Sequence, residues 1–371
     1  MAWLERLVRK ALADIEPYRP GKPISDVQRE LGLREIVRLC SNENPWPIPE
    51  AVSAAIQSAA KEVNRYPDPG AYYLKRALAR KWGVSPSEII VGAGTEGVVY
   101  ALFQAIIDEG DHVVHCTPTY PLHILAAKAA GATCVAVPLT DTFTPTADMI
   151  TAACSERTKA VIICNPNNPT GTIMSRSELL SLAAHLEGMQ TLLVVDEAYA
   201  EYVIDPRYVS GVELFRQLGN IVILRTFSKI YGLAALRIGY GIAPKPVVES
   251  FSKVKRFFEV NKIAQHAAVA ALEQTAYIEE IRDRTLMERG KMVSVLSDLG
   301  VKVYPTHTNF LLLRVEDADL VAEDLLREGI IVRPGSDMGM KGFLRVSVGL
   351  PEENERFAAS LRKVMKRAGR R

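Results

Sequence analysis

The stretch Ile221–Tyr240, IVILRTFSKIYGLAALRIGY, joins a strand to one lysine and an anion-binding set. Ile221 to Leu224 is an apolar, β-branched run of strand character. It stops at Thr226 and Ser228, whose hydroxyls can donate hydrogen bonds to an oxyanion. Lys229 comes next, and Arg237 follows eight residues after it. A lysine between short hydroxyl side chains, with a guanidinium close by, suits a Schiff-base enzyme whose amine faces a phosphorylated aldehyde. Taken alone, an S-K pair after a strand also describes a solvated surface lysine.

Outward from this stretch, short β-branched runs alternate with helical stretches. The runs are Ile89 to Val91, His112 to Cys116, Thr133 to Val137, Ala160 to Ile163, Leu192 to Val195, Ile221 to Leu224 and Arg237 to Ile242. Seven such runs predict an α/β fold with one mostly parallel seven-stranded sheet flanked by helices. Ser175 to Glu187 reads as one of the helices, with Leu179, Leu180, Leu182, Ala183 and Leu186 on one side and Ser175 and Glu178 spaced as a capping box. After Ala264 the pattern changes to long helical stretches, Ala264 to Glu273 and Ile278 to Leu299. Strand-like Val301 to Tyr304, Asn309 to Arg314 and Phe343 to Val348 follow. The expected organisation is an N-terminal arm (1–42) contributing to a small α+β domain (264–371), around a large cofactor-binding domain (43–263). The Pro-rich turn Asn44 to Pro49 forms the crossing.

Bulk properties are those of an ordinary soluble protein. The 371 residues suggest two or three domains, and with 48% hydrophobic and 24% charged residues and a net charge of +2, nothing calls for nucleic acid. The basic run Lys363 to Arg371 suits a helix C-terminus. Met1 to Ala13 is amphipathic and interrupted by charges, unlike a secretory signal, and no segment is apolar enough to span a membrane. Five cysteines without C-x-x-C spacing read as reduced thiols of a cytoplasmic protein. His112 and His115, three apart in a strand, point to opposite faces and make no metal motif.

Motifs gather at the strand ends. Ile89 to Gly97 contains G-x-G-x-x-G after a strand, the pattern of a dinucleotide fold, but the next strand ends in Thr117-Pro118 rather than the acidic residue such a fold requires. The simpler reading is a glycine turn whose amides and Thr95 hydroxyl cradle one phosphate at a helix N-terminus. Asn165-Pro-Asn-Asn-Pro-Thr-Gly171 is a rigid turn after another strand, and Asn168 within it can aim an amide at a ligand oxygen. Asp196 closes the run Leu192 to Val195. It either caps a helix or, in a cofactor pocket, pairs with a pyridinium nitrogen, with Tyr199 near enough to bond the ring hydroxyl. Tyr120, in the turn Thr117 to Pro121, offers a face to stack on a flat ring. Thr95, Tyr120, Asn168, Asp196, Tyr199 and Lys229 all belong to one edge of one sheet. With Arg237 they make up the inventory that pyridoxal 5'-phosphate requires.

These strings resemble the aspartate aminotransferase superfamily of pyridoxal-phosphate enzymes (fold type I), and within it the histidinol-phosphate aminotransferases. The resemblance runs from Ile15 to Leu350, through I-E-P-Y (Ile15 to Tyr18), S-N-E-N-P (Ser41 to Pro45), R-Y-P-D (Arg65 to Asp68), N-P-N-N-P-T-G, D-E-A-Y, F-S-K-I-Y-G-L and R-I-G-Y. It implies that Lys229 bonds the cofactor and moves the proton, Asp196 binds the ring nitrogen, Asn168 and Tyr199 the ring oxygen, and Tyr120 stacks. Thr226, Ser228, Arg237 and the turn of Gly94, Thr95 and Glu96 would hold the phosphate, and Tyr66 would reach the phosphate of the neighbouring subunit in a homodimer with shared sites. Tyr18, Asn168, Arg333 and Arg345 are the implied substrate residues, serving a small-molecule amino donor and a 2-oxo acid. The implied reaction is transamination of histidinol phosphate with 2-oxoglutarate in histidine biosynthesis. Aromatic aminotransferases and threonine-phosphate decarboxylases share most of these strings. The chain departs from the family pattern at Gly97, where an acidic residue is common, and at Ala235, where glycine is common.

Overall fold

In the computed structural model, which describes residues 7–9, 12, 15 and 21–368, each of the seven apolar runs becomes a strand. A short strand β1 (Val37–Arg38) precedes β2 (Ile89–Gly92), β3 (His112–Thr117), β4 (Thr133–Pro138), β5 (Thr158–Cys164), β6 (Leu192–Asp196), β7 (Ile221–Thr226) and β8 (Gly239–Ile242). The large sheet has the order β2-β8-β7-β6-β5-β3-β4. All its pairings are parallel except the two made by β8. The carboxyl ends of β2 to β7 and the amino end of β8 therefore share one edge.

Side-chain alternation divides the sheet's two faces cleanly. Ile89, Val91, Val161, Ile163, Leu193, Val195, Ile221 and Ile223 enter one buried cluster, whereas Ile90, Ala160, Ile162, Val194, Val222 and Leu224 enter another. Helices cover both faces, so the central strands are apolar throughout. The edge strand β4 is largely exposed and ends in Pro138, which blunts further pairing.

The smaller domain has β9 (Lys302–Val303), β10 (Phe310–Arg314), β11 (Ile330–Ile331), β12 (Arg333–Pro334) and β13 (Phe343–Ser347). Four of them form an antiparallel sheet in the order β12-β13-β10-β9, and β11 pairs in parallel with β1. Val37 and Leu39 of the N-terminal arm share a core with Leu311, Leu313, Leu344 and Val346. The two-residue strands β1, β11 and β12 are too short to leave a periodic signal.

Three expectations need correction. The boundary expected at residue 264 falls inside helix Lys262–Leu272, whose Ala264, Ala267, Ala268 and Ala271 pack into the large core. The change of core occurs along the next helix, Thr275–Asp298, which buries Ile281 with the large domain and Met292 and Leu296 with the small one. The capping box at Ser175 is half formed. Ser175 Oγ accepts from the Glu178 N–H at 3.4 Å, but the Glu178 carboxylate turns to the Ala147 N–H. Finally, β8 begins at Gly239, because Arg237 takes a left-handed φ of 52° and breaks the strand. Tyr18, most of the Met1 to Ala13 segment and residues 369–371 lie outside the described residues.

Candidate active site at the carboxyl edge

Strand β7 delivers Lys229. Beyond Thr226, whose Oγ1 accepts the Ser228 N–H at 3.0 Å, the chain turns and the lysine enters a cleft of about 270 Å³ between the domains. Its Nζ donates to the Ser41 carbonyl at 3.1 Å and stands 5.6 Å from the centre of the Tyr199 ring. Burial above all, then Arg345 and Arg237, outweigh the opposing carboxylates of Glu43 and Asp196 and bring the amine down to about pKa 8.

Below the lysine lies an anion cradle. Helix Gly94–Ile106 opens at the edge with no side chain capping its first turn, so its leading N–H groups lack intrahelical acceptors. Because β8 is antiparallel, Arg237 just before it lands on the same edge. Its Nη1 reaches Ser228 Oγ at 3.4 Å and the Ala234 carbonyl at 3.2 Å, while Nη2 lies 3.8 Å from Glu96 Oε2. Two glycines permit this approach. Gly94 has a φ of 72°, and a Cβ there would stand 2.7 Å from Arg237 Nη2. A Cβ on Gly239 would stand 2.7 Å from the Gly94 carbonyl carbon, and closer still to Thr95 N. Thr95 lines the cleft, but its hydroxyl donates to the Arg225 carbonyl at 3.3 Å, so the turn's backbone amides are its free donors.

Strand β6 places Asp196, 3% exposed, in the cleft wall. One carboxylate oxygen accepts the Ala198 N–H at 3.0 Å and the other meets His123 Nε2 at 2.8 Å. A carboxylate only accepts, so that nitrogen carries the proton. Next in sequence, Glu197 anchors the strand end with an ion pair to Arg225 at 2.6 Å and a bond from Ser210 Oγ at 2.8 Å. Removing one partner of such a buried pair costs about 3–5 kcal/mol. Tyr120, the N-cap of helix Pro121–Ala130, lines the cleft edge-on to His123 with ring centroids 5.4 Å apart. Tyr199 is buried against the edge of Phe310, and burial pushes its phenol well above the usual range.

The small domain closes the cleft with Arg333 and Arg345. They are directly opposed residues of β12 and β13, both under 10% exposed. Arg345 donates to Asn168 Oδ1 at 2.6 Å and to the Cys40 carbonyl at 2.6 Å, and Arg333 Nε lies 3.3 Å from Asp337. Like charges facing across a strand pair repel, so this arrangement favours an anion. With its Oδ1 engaged, Asn168 has its amide N–H groups left for a ligand.

Of the residues singled out from sequence, Thr95, Glu96, Tyr120, Asn168, Asp196, Tyr199, Thr226, Ser228, Lys229, Arg237, Arg333 and Arg345 line this cleft, and Gly94 supports Arg237. Tyr66 does not line it. It is 79% exposed and stacks on Phe258 with centroids 4.5 Å apart. Sequence reading missed His123 and the segment Cys40-Ser41-Asn42, which contacts Arg345, Lys229 and Tyr199 in turn. The S-N-E-N-P string marked that segment without giving it a task. The G-x-G-x-x-G turn is no dinucleotide site, since β2 pairs only with β8 and β3 lies on the far side of the sheet.

The profile of the aminotransferase class I and II family matches residues 34–361, which takes in every residue of the cleft except Gly21, and the chain belongs to this family. Its relatives narrow the class. A histidinol-phosphate aminotransferase of Moorella thermoacetica is 41% identical over 360 residues, spanning 96% of this chain and 92% of the relative. One from Carboxydothermus hydrogenoformans is 40% identical, spanning 97% and 99%. Among solved structures, histidinol-phosphate aminotransferase from Sinorhizobium meliloti in complex with pyridoxal-5'-phosphate superposes with a TM-score of 0.86 at 28% identity, over 97% of this chain and 99% of that one. A double mutant of Thermus thermophilus aspartate aminotransferase gives 0.85 at 27% identity, over 96% and 99%.

Proposed function

We propose that this protein transfers the amino group of histidinol phosphate to 2-oxoglutarate, using pyridoxal 5'-phosphate held by Lys229. The observation that carries the reading is the buried Arg333–Arg345 pair facing the lysine across one cleft. Histidinol phosphate has a phosphate and no α-carboxylate, whereas glutamate, the product of the second half-reaction, has two carboxylates. Two guanidiniums serve both, binding phosphate in one half-reaction and carboxylates in the other. The relatives named above carry the same activity in their names.

The cleft fits the cofactor. The uncapped helix start, Ser228, Thr226 and Arg237 suit its phosphate, the Asp196 carboxylate suits a protonated ring nitrogen, and Tyr199 with Asn168 suits the ring oxygen. Tyr120, in the cleft wall, would offer its face to the ring. When bound, pyridoxal phosphate acts as an electron sink that stabilises negative charge at the substrate carbon. The protein supplies the rest. Asp196, steadied by His123, would keep the ring nitrogen charged, and Lys229 Nζ, whose burial favours the neutral amine, would take the proton from the substrate carbon and return it. The Arg333–Arg345 pair, with Tyr18 of the N-terminal arm, orients the substrate.

The exposed Tyr66 is read as reaching the phosphate of a second copy, which makes the working unit a homodimer. Among the described residues no helix is long and apolar enough to cross a membrane, and all five cysteines are free thiols, in keeping with a cytoplasmic enzyme. The deciding experiment is a single half-reaction. The pyridoxal form is mixed with histidinol phosphate and, separately, with phenylalanine, while the cofactor spectrum is followed. Much faster conversion by histidinol phosphate is expected. Faster conversion by phenylalanine would move the protein to the aromatic aminotransferases.

A further inference from the structure

Asn42 sits where the two domains meet, 1% exposed, with a φ of 52°. Its carboxamide bridges Ser347 and Tyr199. Oδ1 accepts from Ser347 Oγ at 3.0 Å, and the Asn42 backbone N–H donates to the same hydroxyl oxygen at 2.8 Å. Nδ2 is thereby aimed at Tyr199, donating to its Oη at 2.9 Å. Among the described residues nothing accepts the Tyr199 hydroxyl proton, and Tyr199 lines the cleft. A hydroxyl that accepts one hydrogen bond becomes a stronger donor of another, because successive bonds polarise one another. Ser347 stands two residues beyond Arg345 on β13, hence on the same face. A continuous chain of bonds thus runs from the strand of the substrate arginine, through Asn42, to the phenol.

We propose that Asn42 is a positioning residue for the cofactor: its amide fixes the Tyr199 oxygen, directs the phenol proton to the ring oxygen, and ties that bond through Ser347 to the strand carrying Arg345. This rests on the reading of Tyr199 as a donor to the ring oxygen of bound pyridoxal phosphate. In the loaded enzyme that oxygen would carry negative charge and would share the proton of the nitrogen through which Lys229 holds the cofactor. A strong phenol donor draws off its charge and lowers the proton affinity of that nitrogen. Removing the Asn42 amide therefore raises the pH midpoint at which the bound cofactor changes colour.

The test is a pH titration of the visible absorption of the loaded enzyme and four variants. Asn42→Gly removes the amide while accepting the left-handed backbone, and Asn42→Asp keeps the Ser347 bond but presents the phenol with an acceptor. Asn42→Gly is expected to raise the midpoint by roughly half a pH unit, Asn42→Asp by at least as much and Tyr199→Phe by more. The double variant Asn42→Gly/Tyr199→Phe should match Tyr199→Phe alone. If Tyr199→Phe moves the midpoint and neither Asn42 variant does, the inference is overturned while the reading of Tyr199 stands. If Tyr199→Phe leaves it unmoved, both fall. Weaker substrate binding without a spectral shift would make Asn42 merely structural and also overturn the proposal.

Discussion

Around Lys229 the surroundings disfavour a charged amine, since burial and two nearby guanidiniums outweigh the carboxylates of Glu43 and Asp196. The free base is the form that bonds an aldehyde. With the amine near pKa 8, it makes up about one tenth of the population at pH 7 and most of it at pH 9. Covalent capture of pyridoxal phosphate by the cofactor-free protein should accordingly speed up roughly tenfold between these values and then level off. Stopped-flow absorbance measures this, and a rate indifferent to pH would show that the amine is not depressed. Lys229→Ala should abolish turnover and the borohydride-reducible adduct while leaving the protein folded; a persisting adduct in that variant would sink the assignment.

At the scale of elements, the site depends on how closely helix Gly94–Ile106 approaches β8. Gly239 carries that contact, because an added Cβ would strike the backbone of Gly94 and Thr95, which cannot swing aside as a side chain would. Overpacking of this kind costs about 1–3 kcal/mol. Gly239→Ala is therefore expected to weaken cofactor binding by roughly tenfold or more. Titrating the cofactor-free variant with pyridoxal phosphate checks this, and wild-type affinity would mean that the turn does not hold the phosphate. The reversed β8 could not be read from its residues, since a run of apolar positions carries no direction. Only pairing with β7 and β2 brings Arg237 to the same edge as Lys229.

In the molecule as a whole, the cleft lies between two cores, and the proposed substrate residues come from both. Arg345 comes from the small domain yet bonds Asn168 of the large one. Arg345→Ala should raise the Michaelis constant of both histidinol phosphate and 2-oxoglutarate by about tenfold or more, since a charge-assisted hydrogen bond contributes about 1.5–3 kcal/mol. Steady-state kinetics decide it, and an effect on one substrate alone would refute a shared site. Tyr66, Tyr73 and Phe257 are each more than 75% exposed. Sedimentation should show a dimer, and Tyr66→Ala should bind the cofactor several-fold more weakly; a monomer with full cofactor affinity would exclude shared sites.

The sequence by itself determined the class of fold and most of the residues that line the candidate cleft. β-branched runs spaced by helices can bury both faces only as a parallel sheet, and ligand groups on such sheets gather at the carboxyl edge, where Lys229, Asp196 and Asn168 fall. The tertiary structure alone decided which backbone and side chains support them. His123 reads as an ordinary helix residue until the packing of helix Pro121–Ala130 sets it against Asp196. Asn42 meets Tyr199 across 157 positions of chain. Local pattern records how a segment alternates between buried and exposed faces, but contacts between distant segments depend on how the domains close on each other. That is also why the boundary near residue 264 was misplaced: the alanine-rich helix Lys262–Leu272 suits either core, and only its fit against helix Glu50–Ala60 assigns it to the large one.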